Sequence, residues 1–226
     1  MAKPLQHVGY EGVPDESLAQ KVLAGDKAAF EAIMRRHNRA MFRTARAILR
    51  DDAEAEDALQ EAYLQAYRPL GSYRGSARLS TWLARVVANE ALMRLRKQSR
   101  RSAIVPIHAG VEVEDSDQSG GVSMKNPESE ARRAEMRRLL EERIDALPGA
   151  YRAVFMLRAV EEYSVEETAK ILGIPEATVR SRLFRARSLL REGMASELDI
   201  ATEDVFAFAG KRCDRIVSAV MQKLYS

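Results

Sequence analysis

The stretch "SVEETAKILGIPEATVRSRLFRARSLLR", residues 164–191, decides how this chain folds. Ser164 precedes an apolar-periodic run and Glu167 follows three residues later, the spacing of a capping box. Val165, Ala169 and Leu172 give the short helix an apolar stripe. Gly173 supplies the turn, and Ile174 is expected as a buried anchor within it. Pro175 sits at the first position of a second helix, where its missing N–H costs nothing. Two helices joined by so short a glycine turn form a helix-turn-helix, which presents its second helix to a DNA major groove.

The second helix carries Arg180, Arg182, Arg185, Arg187 and Arg191. At about 100° per residue, Val179, Leu183, Ala186 and Leu190 cluster on the core side. Ala177, Ser181, Phe184 and Ser188 lie opposite. Arg180, Arg187 and Arg191 flank that strip on one edge, Arg185 and Arg182 on the other. A merely solvated face mixes charge signs and gains nothing from an exposed phenylalanine. A groove-reading helix explains both features. Edge arginines reach phosphates, small residues let the backbone approach base edges, and an apolar ring packs on a thymine methyl.

The whole chain suits that reading. It has 226 residues, 46% apolar and 31% charged, enough for a core and rich in helix formers. Its net charge is only +3, but the charge is blocked. Residues 51–61 hold Asp51, Asp52, Glu54, Glu56, Asp57 and Glu61 without a base, whereas residues 94–101 hold Arg94, Arg96, Lys97, Arg100 and Arg101 without an acid. Cys213 is the sole cysteine, which rules out an intramolecular disulfide and a cysteine-rich zinc site. The sequence has no signal-peptide core and no run of about 18 apolar residues, so the expectation is a cytoplasmic protein. No cofactor or metal motif is present.

The expected fold is all-α: two small helical domains, a flexible linker, and a C-terminal helical extension. Residues 1–14 form a leader. Residues 15–101 form the first domain. There Gly25 closes one helix and Asp26 caps the next. A further helix stops before Pro69, and a loop, "GSYRGSARLS", precedes a helix opened by Ser80 or Thr81 and buried through Trp82, Leu83, Val86 and Leu92 or Met93. Residues 102–128 are Ser-, Gly- and acid-rich and read as the linker. Residues 129–192 form the second domain, and residues 193–226 the extension.

Two blocks, "DALQEAYLQAYRPLGSYRGSARLSTWLARVVANEALMRLRKQSRR" and "LEERIDALPGAYRAVFMLRAVEEYSVEETAKILGIPEATVRSRLFRAR", resemble regions 2 and 4 of the extracytoplasmic-function (ECF) sigma factors of bacterial RNA polymerase. The resemblance implies a first domain on the promoter −10 element and a second on the −35 element. The acidic linker, with Glu112, Glu114, Asp115 and Asp117, would pass through a basic polymerase channel. Asp57, Gln60 and Glu61 match the helix that docks on the polymerase clamp. Tyr73 and Arg74 match the loop beside the non-template strand, where an aromatic stacks on an unpaired base. Asn89 matches a position lining the pocket for a flipped −10 base. Arg94, Arg96 and Lys97 would follow duplex phosphates. Arg180, Ser181, Phe184 and Arg185 match the positions facing the −35 element. An anti-sigma factor is implied as a partner, though no residue identifies one. The extension, with its amphipathic "CDRIVSAVMQKL", is expected to pack back on the second domain, with holding an inhibitor as the alternative.

Two other classes compete. A DNA-binding regulator that does not join polymerase shares the helix-turn-helix, but leaves the acidic helix, Tyr-Arg loop and basic helix unexplained. An enzyme needs a P-loop, paired metal ligands or a nucleophile elbow, and none is present.

Overall fold

The computed structural model describes residues 9–73, 78–102, 127–191, 206, 208 and 210–225. The linker residues 103–126, Arg74 and residues 192–205 lie outside that set. The first domain comprises α1 (Asp15–Leu23), α2 (Lys27–Leu49), α3 (Asp52–Tyr67), a 3-10 turn (Pro69–Ser72) and α4 (Leu79–Ser102). The second comprises α5 (Pro127–Ala146), α6 (Gly149–Phe155) running into a π-turn (Met156–Val160), α7 (Val165–Leu172) and α8 (Glu176–Arg191). A last helix, α9, spans Gly210–Tyr225. No strand occurs among the described residues.

Local signals set the boundaries. Gly25, at φ +89°, ends α1 in a Schellman pattern, with its N–H on Val22 O and the Asp26 N–H on Lys21 O. Asp26 then caps α2 by accepting from the Ala28 and Ala29 N–H groups at 3.0 and 3.1 Å. Only Arg50 and Asp51 separate α2 from α3, so the two helices run antiparallel, and Asp51 caps α3 through the Glu54 N–H at 2.7 Å. The capping box forms as expected: Ser164 Oγ accepts from the Glu167 N–H, and Glu167 from the Ser164 N–H. α4 begins at Leu79, slightly before the expected Ser80 or Thr81.

The first-domain core is packed from Leu18, Phe30, Ile33, Met34, Met41, Phe42, Leu59, Tyr63, Leu83 and Val87, all essentially inaccessible. Each such side chain contributes about 1.5–3 kcal/mol on burial. The same cluster takes in Ala153, Leu157, Tyr163 and Ile171 of the second domain, so the two domains pack directly against each other. Polar contacts match across the seam. Arg46 forks onto Asp145 at 2.8 and 2.6 Å, Arg152 Nε donates to Ala47 O at 2.7 Å, and Thr81 Oγ1 donates to Glu167 Oε1 at 2.9 Å.

That seam changes three sequence expectations. On α7, Thr168 and Ile171 are the buried residues, while Val165, Ala169 and Leu172 are only half-buried, because α7 is sandwiched between α8 and α4 of the other domain. Ile174 is likewise half-buried. On α4 the buried face runs through Leu83, Ala84, Val87, Ala88 and Ala91; Trp82, Val86 and Leu92 are half-buried and Met93 is exposed.

The extension also departs from expectation. α9 packs on α2 and α3 of the first domain, not on the second. Ile216, Val217 and Val220 enter the first-domain core. Arg212 and Arg215 meet the acidic start of α3: Arg212 bonds Asp52 and Glu56 at 2.7 and 2.8 Å, and Arg215 bonds Glu56 at 2.8 Å. Charge explains the choice: α3 is acidic where the helix-turn-helix is dense in arginine.

Candidate nucleic-acid and polymerase interfaces

The recognition helix α8 is seated by Val179, Ala186 and Leu190, all buried, with Leu183 half-buried. Its other side is open. Ser181, Arg185, Arg187 and Arg191 are exposed, and Phe184 stands 69% exposed. Arg182, expected furthest round, is half-buried. Arg180 is exposed but engaged, its guanidinium 2.6 Å from Glu176 one turn earlier. The i,i+4 spacing of Glu176 to Arg180 is the signal for this pair. Ser181 Oγ donates to Thr178 O at 3.1 Å.

On the first domain, the exposed face of α4 presents Arg85, Asn89, Met93, Arg96 and Arg100 at three- and four-residue steps, with Lys97 exposed beside them. Met93, 53% exposed, sits one turn from Asn89 and adds an apolar surface; of the alternatives Leu92 or Met93, Leu92 is the one turned inward. Tyr73 is half-buried and leans on Trp82, ring centroids 6.2 Å apart. Burial, with Glu16 and Asp15 nearby, pushes its phenol above the ordinary value, so it stays neutral.

Arg94 is turned inward. Its Nε bonds Glu90 at 2.8 Å, its Nη2 reaches Asp57 O at 3.3 Å, and Glu54 lies 3.6 Å from Nη1. It therefore ties α4 to α3, while Arg96 and Lys97 remain outward. Asp57 is exposed, Gln60 and Glu61 half-buried, and the three share about 100° of arc on α3. The strip is bounded on one side by α4 and on the other by α9, which holds Asp52 and Glu56.

The capping carboxylate Glu167 has a second task. Burial pushes its pKa up, but the Ser164 N–H, Thr81 hydroxyl and Ser164 hydroxyl outweigh that and hold it below the ordinary glutamate value. It thus stays ionised at the joint between α4 and α7. Among the described residues, no group of three or more His, Cys, Asp or Glu is placed to hold a metal ion, and no helix is long and apolar enough to cross a membrane.

Known proteins match this arrangement. Residues 33–101 match the family model "Sigma-70 region 2", and residues 137–190 match "Sigma-70, region 4". The chain is 36% identical over 186 residues to the ECF RNA polymerase sigma factor SigM of Mycobacterium tuberculosis, covering 81% of this chain and 87% of that protein. It is 34% identical over 183 residues to the ECF RNA polymerase sigma-E factor of Escherichia coli K12, covering 80% and 94%. The solved structure of CnrH in complex with the cytosolic domain of CnrY shares the fold at TM-score 0.54 and 22% identity, covering 81% of this chain and 98% of that one. A basic helix-turn-helix behind a domain that pairs an acidic helix with a basic one is the arrangement of a promoter-recognising subunit. The chain belongs to the ECF sigma factors of the sigma-70 family. It is a transcription initiation factor that binds core RNA polymerase, recognises −35 and −10 elements and promotes strand opening.

Proposed function

We propose that residues 15–101 bind the polymerase clamp and the −10 element, that residues 129–192 bind the −35 element, and that individual side chains divide the work as follows. Asp57, Gln60 and Glu61 form the acidic patch that meets the clamp. Asn89, with Met93 as an apolar neighbour, accepts an unpaired −10 base, while Tyr73 and Arg74 attend the non-template strand. Arg74 rests on the sequence alone. Arg96 and Lys97 take phosphates. Arg94 acts at one remove, by fixing α4 on α3 through Glu90 and Glu54. In the second domain Arg185 and Arg187 grip the backbone, Ser181 and Phe184 face base edges, and Arg180 trades Glu176 for DNA.

The chain works in the cytoplasm and carries out no bond chemistry itself; polymerase does. An anti-sigma factor is a further partner. The solved structure of the sigma factor RpoE in complex with the anti-sigma factor NepR from Bartonella quintana, which shares the fold, supports that part of the reading.

The carrying observation is Phe184. An aromatic ring 69% exposed at the centre of an arginine-edged helix has no packing role. Run-off transcription with core polymerase tests it. Phe184→Ala is expected to cut transcription from a −35-dependent promoter roughly tenfold, within the range of about 1–3 kcal/mol that losing recognition of one base pair costs. Folding, read by circular dichroism, stays intact because the ring is solvent-exposed. Unchanged −35 dependence removes Phe184 from readout. Failure of the wild-type chain to give promoter-specific transcripts, with DNA binding intact, favours the regulator reading.

A further inference from the structure

Two domains that must reach two promoter elements are held shut, and the chain's own C-terminal segment stands across the joint. The labels −10 and −35 set the elements about 25 base pairs apart, roughly 85 Å at 3.4 Å per pair. In the closed molecule, Thr81 of α4 bonds Glu167 of α7 at 2.9 Å. Asn89 lies about 12 Å along α4 from Thr81, at 1.5 Å per residue. From Glu167 the path to Phe184 covers the rest of α7, a three-residue turn and half of α8, on the order of 30 Å. The two readers are thus held within about 50 Å, short of the promoter span. The domains have to part before both elements are occupied.

Phe206, Phe208 and α9 oppose that parting. The Phe206 N–H donates to Glu141 of α5 at 2.7 Å, and its carbonyl accepts from Arg43 of α2 at 3.4 Å. Its ring lies 4.7 Å from the Arg46 guanidinium, which itself forks onto Asp145 of α5. One residue therefore touches both domains, and it does so in the left-handed region at φ +53°, a conformation that phenylalanine adopts only under tertiary constraint. Anchorage lies on the first domain. The Phe208 ring packs on Phe42 at 5.3 Å, Asp214 bonds Arg35 at 2.6 Å, and the Tyr225 hydroxyl donates to that of Tyr67 at 2.8 Å. α9 fills the groove between α2 and α3 and borders the acidic strip that includes Gln60.

We propose that Phe206, Phe208 and α9 form a cis-acting inhibitor, a strap that holds the two domains closed and is released when the chain engages core polymerase. The proposal rests on the sigma-factor reading and adds regulation to it. The groove recognises one kind of ligand, an amphipathic helix with basic residues on one flank, and here the ligand is built into the chain.

The test uses the full-length chain. Arg215→Glu places a carboxylate against Glu56; Arg215 is largely exposed, so the fold survives. Val220→Asp puts a charge into the core contact and is the stronger perturbation. Three readouts apply: radius of gyration by small-angle X-ray scattering, affinity for core polymerase, and run-off transcription at limiting core enzyme. Arg215→Glu is expected to raise the radius of gyration and to increase affinity and transcripts about threefold, whereas Arg215→Lys, which keeps a cation against Glu56, leaves all three near wild type. Val220→Asp is expected to give tenfold or more. If Val220→Asp loses helical content by circular dichroism, Arg215→Glu and Arg215→Lys decide. An unchanged radius of gyration together with unchanged or lower affinity in a folded variant overturns the strap. Loss of promoter-specific transcription by the wild type would instead indict the sigma-factor reading, and the outcomes are separable.

Discussion

Arg152 is 4% exposed, and among the described residues no carboxylate is bonded to its guanidinium. It donates to three backbone carbonyls: Ala47 O at 2.7 Å in the last turn of α2, Asp145 O at 3.1 Å, and Leu147 O at 3.0 Å just past the end of α5. Carbonyls at helix ends lack intrahelical donors and carry the negative end of the helix dipole. One buried cation thus caps two helices from different domains. Burial lowers its pKa below the ordinary arginine value, an effect that Asp145 opposes and the Arg50 and Arg46 charges reinforce, so part of the gain offsets desolvation. Arg152→Met keeps most of the stem volume but leaves three carbonyls unserved. At about 1 kcal/mol net per bond, the expected loss is about 2–4 kcal/mol. Urea denaturation followed by circular dichroism should move the midpoint down by roughly 1 M, given a slope near 3 kcal/mol/M for a chain of this size. Arg138→Met, which breaks an exposed pair with Glu142, should change stability by less than about 0.5 kcal/mol. A midpoint shift below about 0.2 M for Arg152→Met, no larger than the control, would refute the capping argument.

The same logic separates Arg94 from Lys97. Arg94→Ala should cost stability, about 1–2 kcal/mol with Glu90 keeping only its bond from Gln65, and leave the salt dependence of DNA binding nearly unchanged; Lys97→Ala should do the reverse, reducing the slope of log K against log salt by about 0.9. A reduced slope for Arg94→Ala would return that residue to the phosphate face. Asp15, hydrogen-bonded to His37 at 3.0 Å and ion-paired with Arg36, has its pKa lowered, by the His37 bond first, against a burial penalty. Its contribution is therefore present above the ordinary aspartate pKa and is lost as pH falls below it. Asp15→Asn should flatten the stability–pH profile below pH 4, and a profile parallel to wild type would contradict the assignment.

Much of this molecule could be read from local chemistry. The Gly25-Asp26 joint, the Ser164–Glu167 capping box, the Gly173 turn and the placement of Phe184 follow from residue types at fixed spacing within a few turns of helix. They are decided by backbone geometry that neighbouring residues alone control. Helical periodicity likewise separated the grip of the arginines from the strip they border. The pairing of an acidic helix with a basic one is also legible in the charge blocks at residues 51–61 and 94–101.

Other features depend on what comes from far along the chain. Periodicity predicts that a face is buried without saying against what. α7 turned Thr168 and Ile171 inward because α4 covers it, and Met93 stayed outside because no described element covers it. Arg94 stands in a run of bases, yet Glu54 and Glu90, brought alongside by the packing of α3 on α4, claim it. α9 is amphipathic in sequence, but charge and shape complementarity with α2 and α3 chose its seat. The sequence by itself determined the helices, their caps and the exposed, arginine-edged face of α8, because those rest on short-range hydrogen bonds and a 3.6-residue period. Only the tertiary structure decided which charges are spent internally and that the C-terminal segment straps the domains together, because each depends on partners up to 179 residues away.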